Sequence, residues 1–234
     1  MALARKTTIL LSTFLFTAGT LAACAGDGTD GSGSNTGSGN TTGSGNTSGG
    51  GNTSGNSSGG ISTVGGYHTS GSFKGYFWTS SDSKAPGTGT STISPDDYST
   101  NGKICAKGTA AKVPSDTAYS THWGTLVGWN INQGEMPPND PGKSPLTGTI
   151  TVGVSGATVP MGLRIKVAVG GVDYCADIAA GTKSIPVSSL KKECWLTGGA
   201  TYAGEPVEAV AVQVTTNTTS ATPFDFCITE LSIK

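Results

Sequence analysis

Tyr76 and Trp78 stand two residues apart, and Asn130, Asn132 and Gln133 crowd a second short stretch. On a strand, residues i and i+2 share a face, so Tyr76 and Trp78 are expected side by side, opposite Phe73 and Phe77. An aromatic plane matches the apolar face of a pyranose ring, and its edge tolerates water. An amide donates and accepts at once, which suits the vicinal hydroxyls of sugars. With Arg164, turned outward on its own strand, these residues are the candidate glycan contacts. The competing use of the same residues is structural, with the aromatics packing a second core layer and the amides bonding neighbouring loops.

Catalysis finds less support. A glycosidase needs two carboxylates on opposite sides of a cleft, whereas Asp96 and Asp97, or Glu205 and Glu208, sit beside proline in turn-like contexts. They read as solvated loop residues. The Gly- and Ser-rich stretch from Gly37 to Gly45 holds no strict Gly-x-Ser-x-Gly, and it lies in low-complexity sequence where no strand-to-helix turn forms to expose a nucleophile. His122 has no evident acid partner. The expected role is binding, and no enzyme activity is assigned.

Strands must position the candidates. Helical periodicity is lacking, glycine and proline recur every few residues, and β-branched runs alternate with polar residues, the pattern of an all-β sandwich. Leu163, Ile165, Val167 and Val169 point one way, and Arg164 and Lys166 the other. Gly170-Gly171 then makes a tight hairpin into Val172 to Ile178, because glycine enters positive φ without steric cost. Trp123, Val127, Trp129 and Ile131 fall on one face of a strand from His122 to Gln133, with Leu126, Asn130 and Asn132 on the other. Near the carboxyl end, Val210, Val212 and Val214 line a core face, and Phe224, Phe226 and Ile228 do so on the next strand.

Five cysteines are present. Cys105, Cys175, Cys194 and Cys227 make an even set in what reads as an exported chain, so two disulfides are expected. Four thiols allow three pairings. The short separation of Cys175 and Cys194 favours a bridge between them, worth ~3 kcal/mol by loop closure. Cys105 and Cys227 remain, both turned outward on their strands. They meet if the early and last strands are neighbours, as in a jelly roll. No Cys-x-x-Cys pair is present, and His68 and His122 are far from the thiols in sequence, which argues against zinc.

The fifth thiol, Cys24, ends the segment Leu21-Ala22-Ala23-Cys24. Ahead of it stand two cations, Arg5 and Lys6, and an apolar stretch from Ile9 to about Ala18 that Ser12, Thr13 and Thr17 interrupt. That order is an export signal, and the stretch is too short and polar to span ~30 Å of hydrocarbon. The segment resembles the lipobox of bacterial lipoproteins. The resemblance implies cleavage after Ala23, a lipid on Cys24 as the membrane partner and, with Ala25 in place of aspartate, an outer-membrane or cell-surface location.

Residues 25–66 are almost entirely Gly, Ser, Asn and Thr. Nothing there offsets a backbone ordering cost of ~1–2 kcal/mol per residue. The expected organisation is a signal peptide (1–23), a lipid anchor with disordered linker (24–66) and one β-sandwich domain (67–234). The linker's root-mean-square span is roughly 35 Å. A formal net charge of -1 without dense Lys or Arg clusters argues against nucleic acid as a partner.

Several segments together, Gly71 to Trp78, Ile104 to Thr109, Gly128 to Gln133, Tyr174-Cys175, Cys194-Trp195 and Phe224 to Ile228, resemble jelly-roll carbohydrate-binding modules of the galactose-binding-like group. That resemblance implies a non-catalytic domain that binds plant or microbial glycans on a concave sheet face or at loop tips. It also implies a structural calcium, toward which the chain offers Glu230, the one carboxylate matching the acidic pair often found in the last strand. The alternatives are a structural or adhesive envelope protein that binds another protein, and a tethered polysaccharide-active enzyme.

Overall fold

The computed structural model describes residues 61, 63–97, 102–136 and 140–234. Cys24 and residues 25–60 of the expected linker lie outside the described residues. The described structure begins ahead of Tyr67: Ile61 is buried in the core and the first strand is Thr63–Val64. A lone isoleucine behind a glycine-rich tract gives no alternation for a sequence pattern to register.

The described residues form an all-β sandwich of fifteen strands, numbered here in chain order, and one short 3-10 turn. The larger sheet has eight strands, in the order β1 (Thr63–Val64), β2 (Tyr67–Ser70), β3 (Phe73–Ser81), β6 (Thr125–Asn130), β14 (Ala209–Val214), β9 (Leu163–Val169), β10 (Val172–Ile178) and β12 (Lys191–Lys192). The smaller has five: β11 (Gly181–Pro186), β8 (Thr149–Thr158), β15 (Thr222–Ile233), β5 (Ile104–Ala110) and β4 (Thr92–Asp97). A small ribbon pairs β13 (Pro206–Val207) with β7 (Ser144–Pro145). The named strands pair antiparallel throughout, and the chain passes repeatedly from one sheet to the other, as in a jelly roll.

Alternation sets which faces meet. Val127 and Trp129, Leu163, Ile165 and Val167, and Val210, Val212 and Val214 turn inward from the larger sheet. Ile104, Ala106, Phe224, Phe226 and Ile228 meet them from the smaller. The β9–β10 hairpin turns at Gly170 (φ 55°) and Gly171 (φ 82°), a left-handed pair that glycine adopts without clash.

Both disulfides have the expected pairing, Cys105 with Cys227 and Cys175 with Cys194. Cys105 and Cys227 face each other directly in register between β5 and β15, which makes the early and last strands neighbours.

Two local expectations are corrected. Asp96 and Asp97 lie at the end of β4, where Asp97 pairs with Cys105 across a bulge, so this segment is strand and not turn. Trp123 lies ahead of β6 rather than on it. Gly124 takes φ 97°, and its N–H donates to the buried carboxylate of Asp82 at 2.8 Å. That carboxylate also accepts the Ser91 N–H and hydroxyl, both at 3.0 Å, tying the β3–β4 loop to the entry of β6.

Candidate functional site

The outer face of the larger sheet carries most of the candidates. Because cross-strand neighbours share a face, the register sets out the floor: Trp78 pairs with Gly128, Gly128 with Ala211, Ala211 with Lys166, and Lys166 with Cys175. A parallel row runs Ser80, Leu126, Gln213, Arg164, Asp177.

Gly128 determines how Trp78 lies. A Cβ there would overlap Cζ2, Cε2 and Cη2 of the indole, three consecutive ring atoms at nearly equal distance. The ring therefore lies flat on the glycine, in space that any side chain would fill. Trp78 is half-buried, with one ring face against the sheet.

Amides fix the ring's direction. Trp78 Nε1–H donates to Asn130 Oδ1 at 2.8 Å, and Asn130 Nδ2–H donates to Gln133 Oε1 at 2.9 Å. Gln133 Oε1 also accepts the backbone N–H of Tyr76 at 3.1 Å. The Tyr76 hydroxyl donates to the Glu135 carbonyl at 3.2 Å, and its ring meets Tyr67 edge to face at 4.9 Å. Tyr67 in turn donates to the Gln133 carbonyl at 2.7 Å. Burial first, then the charge of Glu135 and the neighbouring Tyr76, hold the Tyr67 hydroxyl above the usual phenol range.

Tyr76, Trp78, Asn130 and Gln133 thus come together in one corner. Asn132 does not join them: it is exposed past the end of β6, and its side-chain N–H reaches toward the Lys143 carbonyl at 3.4 Å. Arg164 lies on the same sheet face but farther along. Its Nε donates to Asp177 Oδ1 at 2.9 Å, while its guanidinium carbon stands 5.4 Å from the centre of the Trp195 ring.

Trp195 is the residue that sequence reasoning passed over as a contact. Nearly half exposed, it follows Cys194, whose disulfide to Cys175 binds the loop to β10. A tryptophan directly after a bridged cysteine was its only signal, since loops carry no alternation. Beside Arg164, Lys166 lies low, its side chain 12% exposed and its Nζ 2.6 Å from Asp173 Oδ2. Both cations on this stretch are therefore matched by carboxylates.

Glu230 sits on β15 beside a register shift, its Cβ facing Gly153. Among the described residues no three His, Cys, Asp or Glu side chains gather at Glu230 or elsewhere. The cluster of carboxylates that commonly supplies a calcium site is not assembled there from described residues.

Glu205 differs from the solvated loop residue expected. Its Oε1 accepts the Tyr174 hydroxyl at 3.0 Å and its Oε2 the Ala203 N–H at 2.9 Å. Hydrogen bonds from its own and the neighbouring backbone N–H groups hold its carboxyl below the usual range. Tyr202 completes the corner, accepting the Leu146 N–H at 2.9 Å and donating to the Glu205 carbonyl at 2.6 Å. This network pins a loop to the core edge. Compared with known proteins, the chain matches no family model and no curated protein.

Proposed function

We propose that this is a non-catalytic glycan-binding module, exported and held at the cell envelope by a lipid on Cys24, with the outer face of the eight-stranded sheet as its binding surface. The observation that carries the reading is Trp78, an indole laid flat on Gly128 and still partly exposed. A flat, fixed aromatic ring stacks on a pyranose with little loss of side-chain freedom.

Asn130 and Gln133 act here mainly by holding Trp78 and Tyr76 in place, since their amides are already engaged with those residues. Catalysis has little footing on this face, because Asp173 and Asp177 are each held by a cation, whereas glycoside cleavage needs an acid and a base free to exchange protons.

The test is affinity electrophoresis and pull-down on insoluble polysaccharides, comparing the wild-type domain with Trp78→Ala. Retention of the wild type by at least one polysaccharide, lost in the variant while its thermal unfolding stays cooperative, is the expected result. No retention by any polymer, or retention unaffected by Trp78→Ala, contradicts the reading. For the anchor, mass spectrometry of the mature protein is expected to find a lipidated Cys24 at the amino terminus, and an unmodified Cys24 removes the membrane attachment.

A further inference from the structure

We propose that Trp195 is a second contact for the same polymer, so that the face takes a long polysaccharide lying across the strands. The inference rests on the glycan reading and extends it to the length of ligand.

Trp195 is held as firmly as a loop residue can be. The preceding residue is bonded through its sulfur to Cys175 on β10, and the Cys194 N–H donates to that same Cys175 sulfur at 3.0 Å. The Glu193 N–H reaches the Asp173 carbonyl at 2.9 Å, and the Lys192 N–H reaches the Ala200 carbonyl at 2.7 Å, closing the loop at its base. Arg164 lies against one side of the indole, a favourable cation-aromatic arrangement. With 48% of its surface still exposed, the ring presents its remaining area to solvent.

Between the two indoles the floor stays low. The register positions from Trp78 toward β10 are Gly128, Ala211 and the flattened Lys166. The Trp78 ring lies over β6, and the Arg164 guanidinium reaches from β9 toward β10. The indoles are thus two to three strand spacings apart, roughly 10–15 Å at the usual inter-strand distance. A disaccharide touches one of them, whereas an extended chain of several sugars touches both.

Arg164 is held by Asp177 and Lys166 by Asp173, while Lys74 and Lys191 stand exposed on the same face at its two ends. Linking two contacts through one chain raises affinity by effective concentration without further contacts.

The experiment is isothermal titration with cellulose, β-1,3-glucan, galactan and dextran oligosaccharides, from disaccharide to decasaccharide, and with a polygalacturonate series as the charged counterpart. The wild type is expected to gain affinity steeply once the oligomer spans both rings. Trp195→Ala should lose about tenfold or more on the long oligomers and nothing on the short ones. Trp195→Phe should keep most of the gain, and Trp78→Ala should weaken every length. A Trp195→Ala variant that follows the wild-type length dependence overturns the inference and leaves the Trp78 reading standing. Should Trp78→Ala also change nothing, the glycan reading itself fails.

Discussion

The two disulfides do different work with the same bond. Cys105–Cys227 joins residues 122 apart, on neighbouring strands of the smaller sheet that already share a full ladder of register pairs. Cys175–Cys194 joins residues 19 apart and ties a loop onto the outer face of the larger sheet, beside Arg164 and Trp195. The first acts chiefly on the unfolded chain, by closing a long loop. The second acts on the folded surface, by fixing where an exposed indole stands. A staple within a hydrogen-bonded sheet adds stability without adding new geometry, whereas a staple at a loop supplies geometry that the backbone alone would not hold.

Removing each bridge should break that contrast open. Cys105→Ala with Cys227→Ala is expected to have the largest effect, up to ~5 kcal/mol by loop closure, read as a fall in denaturation midpoint, with glycan affinity of the folded fraction unchanged. Cys175→Ala with Cys194→Ala should cost less, ~3 kcal/mol on the same basis. In that variant Trp195 should become more accessible to acrylamide quenching, and the length-dependent part of glycan affinity should fall. Equal binding losses in the two double variants would erase the distinction.

Gly128→Ala sharpens the comparison from the other end of the face. Its methyl group enters the space of the Trp78 ring. Overpacking is expected to cost ~1–3 kcal/mol and to lift the indole from the sheet, weakening short and long glycans alike. Acid should have the smallest effect, at the Glu205 corner. The Glu205 carboxyl is held below its ordinary 4.5, so its contribution is present above that pH and is lost as pH falls through the lowered folded-state value. A chemical-denaturation series on the wild type and Glu205→Gln should converge at low pH. Curves that stay parallel from neutral to strongly acidic pH would contradict it.

Alternation made much of this molecule legible in advance. The strands around Leu163, Val210 and Phe224 each bury one face against the core, so their period-2 patterns fixed both element and orientation, and with them the meeting of Cys105 and Cys227. The pairing of Tyr76 with Trp78 followed from the same period. What stayed hidden depends on contacts distant in sequence. The flatness of Trp78 comes from a glycine 50 positions on, the start of β6 from a buried aspartate on another loop, and the placement of Trp195 from a bond and a cation on two other strands. Asn132 was grouped with Asn130 by parity, which stopped holding where the strand ended.

Four tryptophans offer an internal control for the central claim. Trp129 is fully buried, its Nε1–H bonded to the Gly75 carbonyl at 3.1 Å. The most direct measurement is the set of indole N–H resonances during titration with a bound neutral oligosaccharide. Saturable shifts at Trp78 and Trp195, with Trp129 unmoved, are the result expected if the outer face of the larger sheet binds glycan. An unmoved Trp78 at saturation would contradict it.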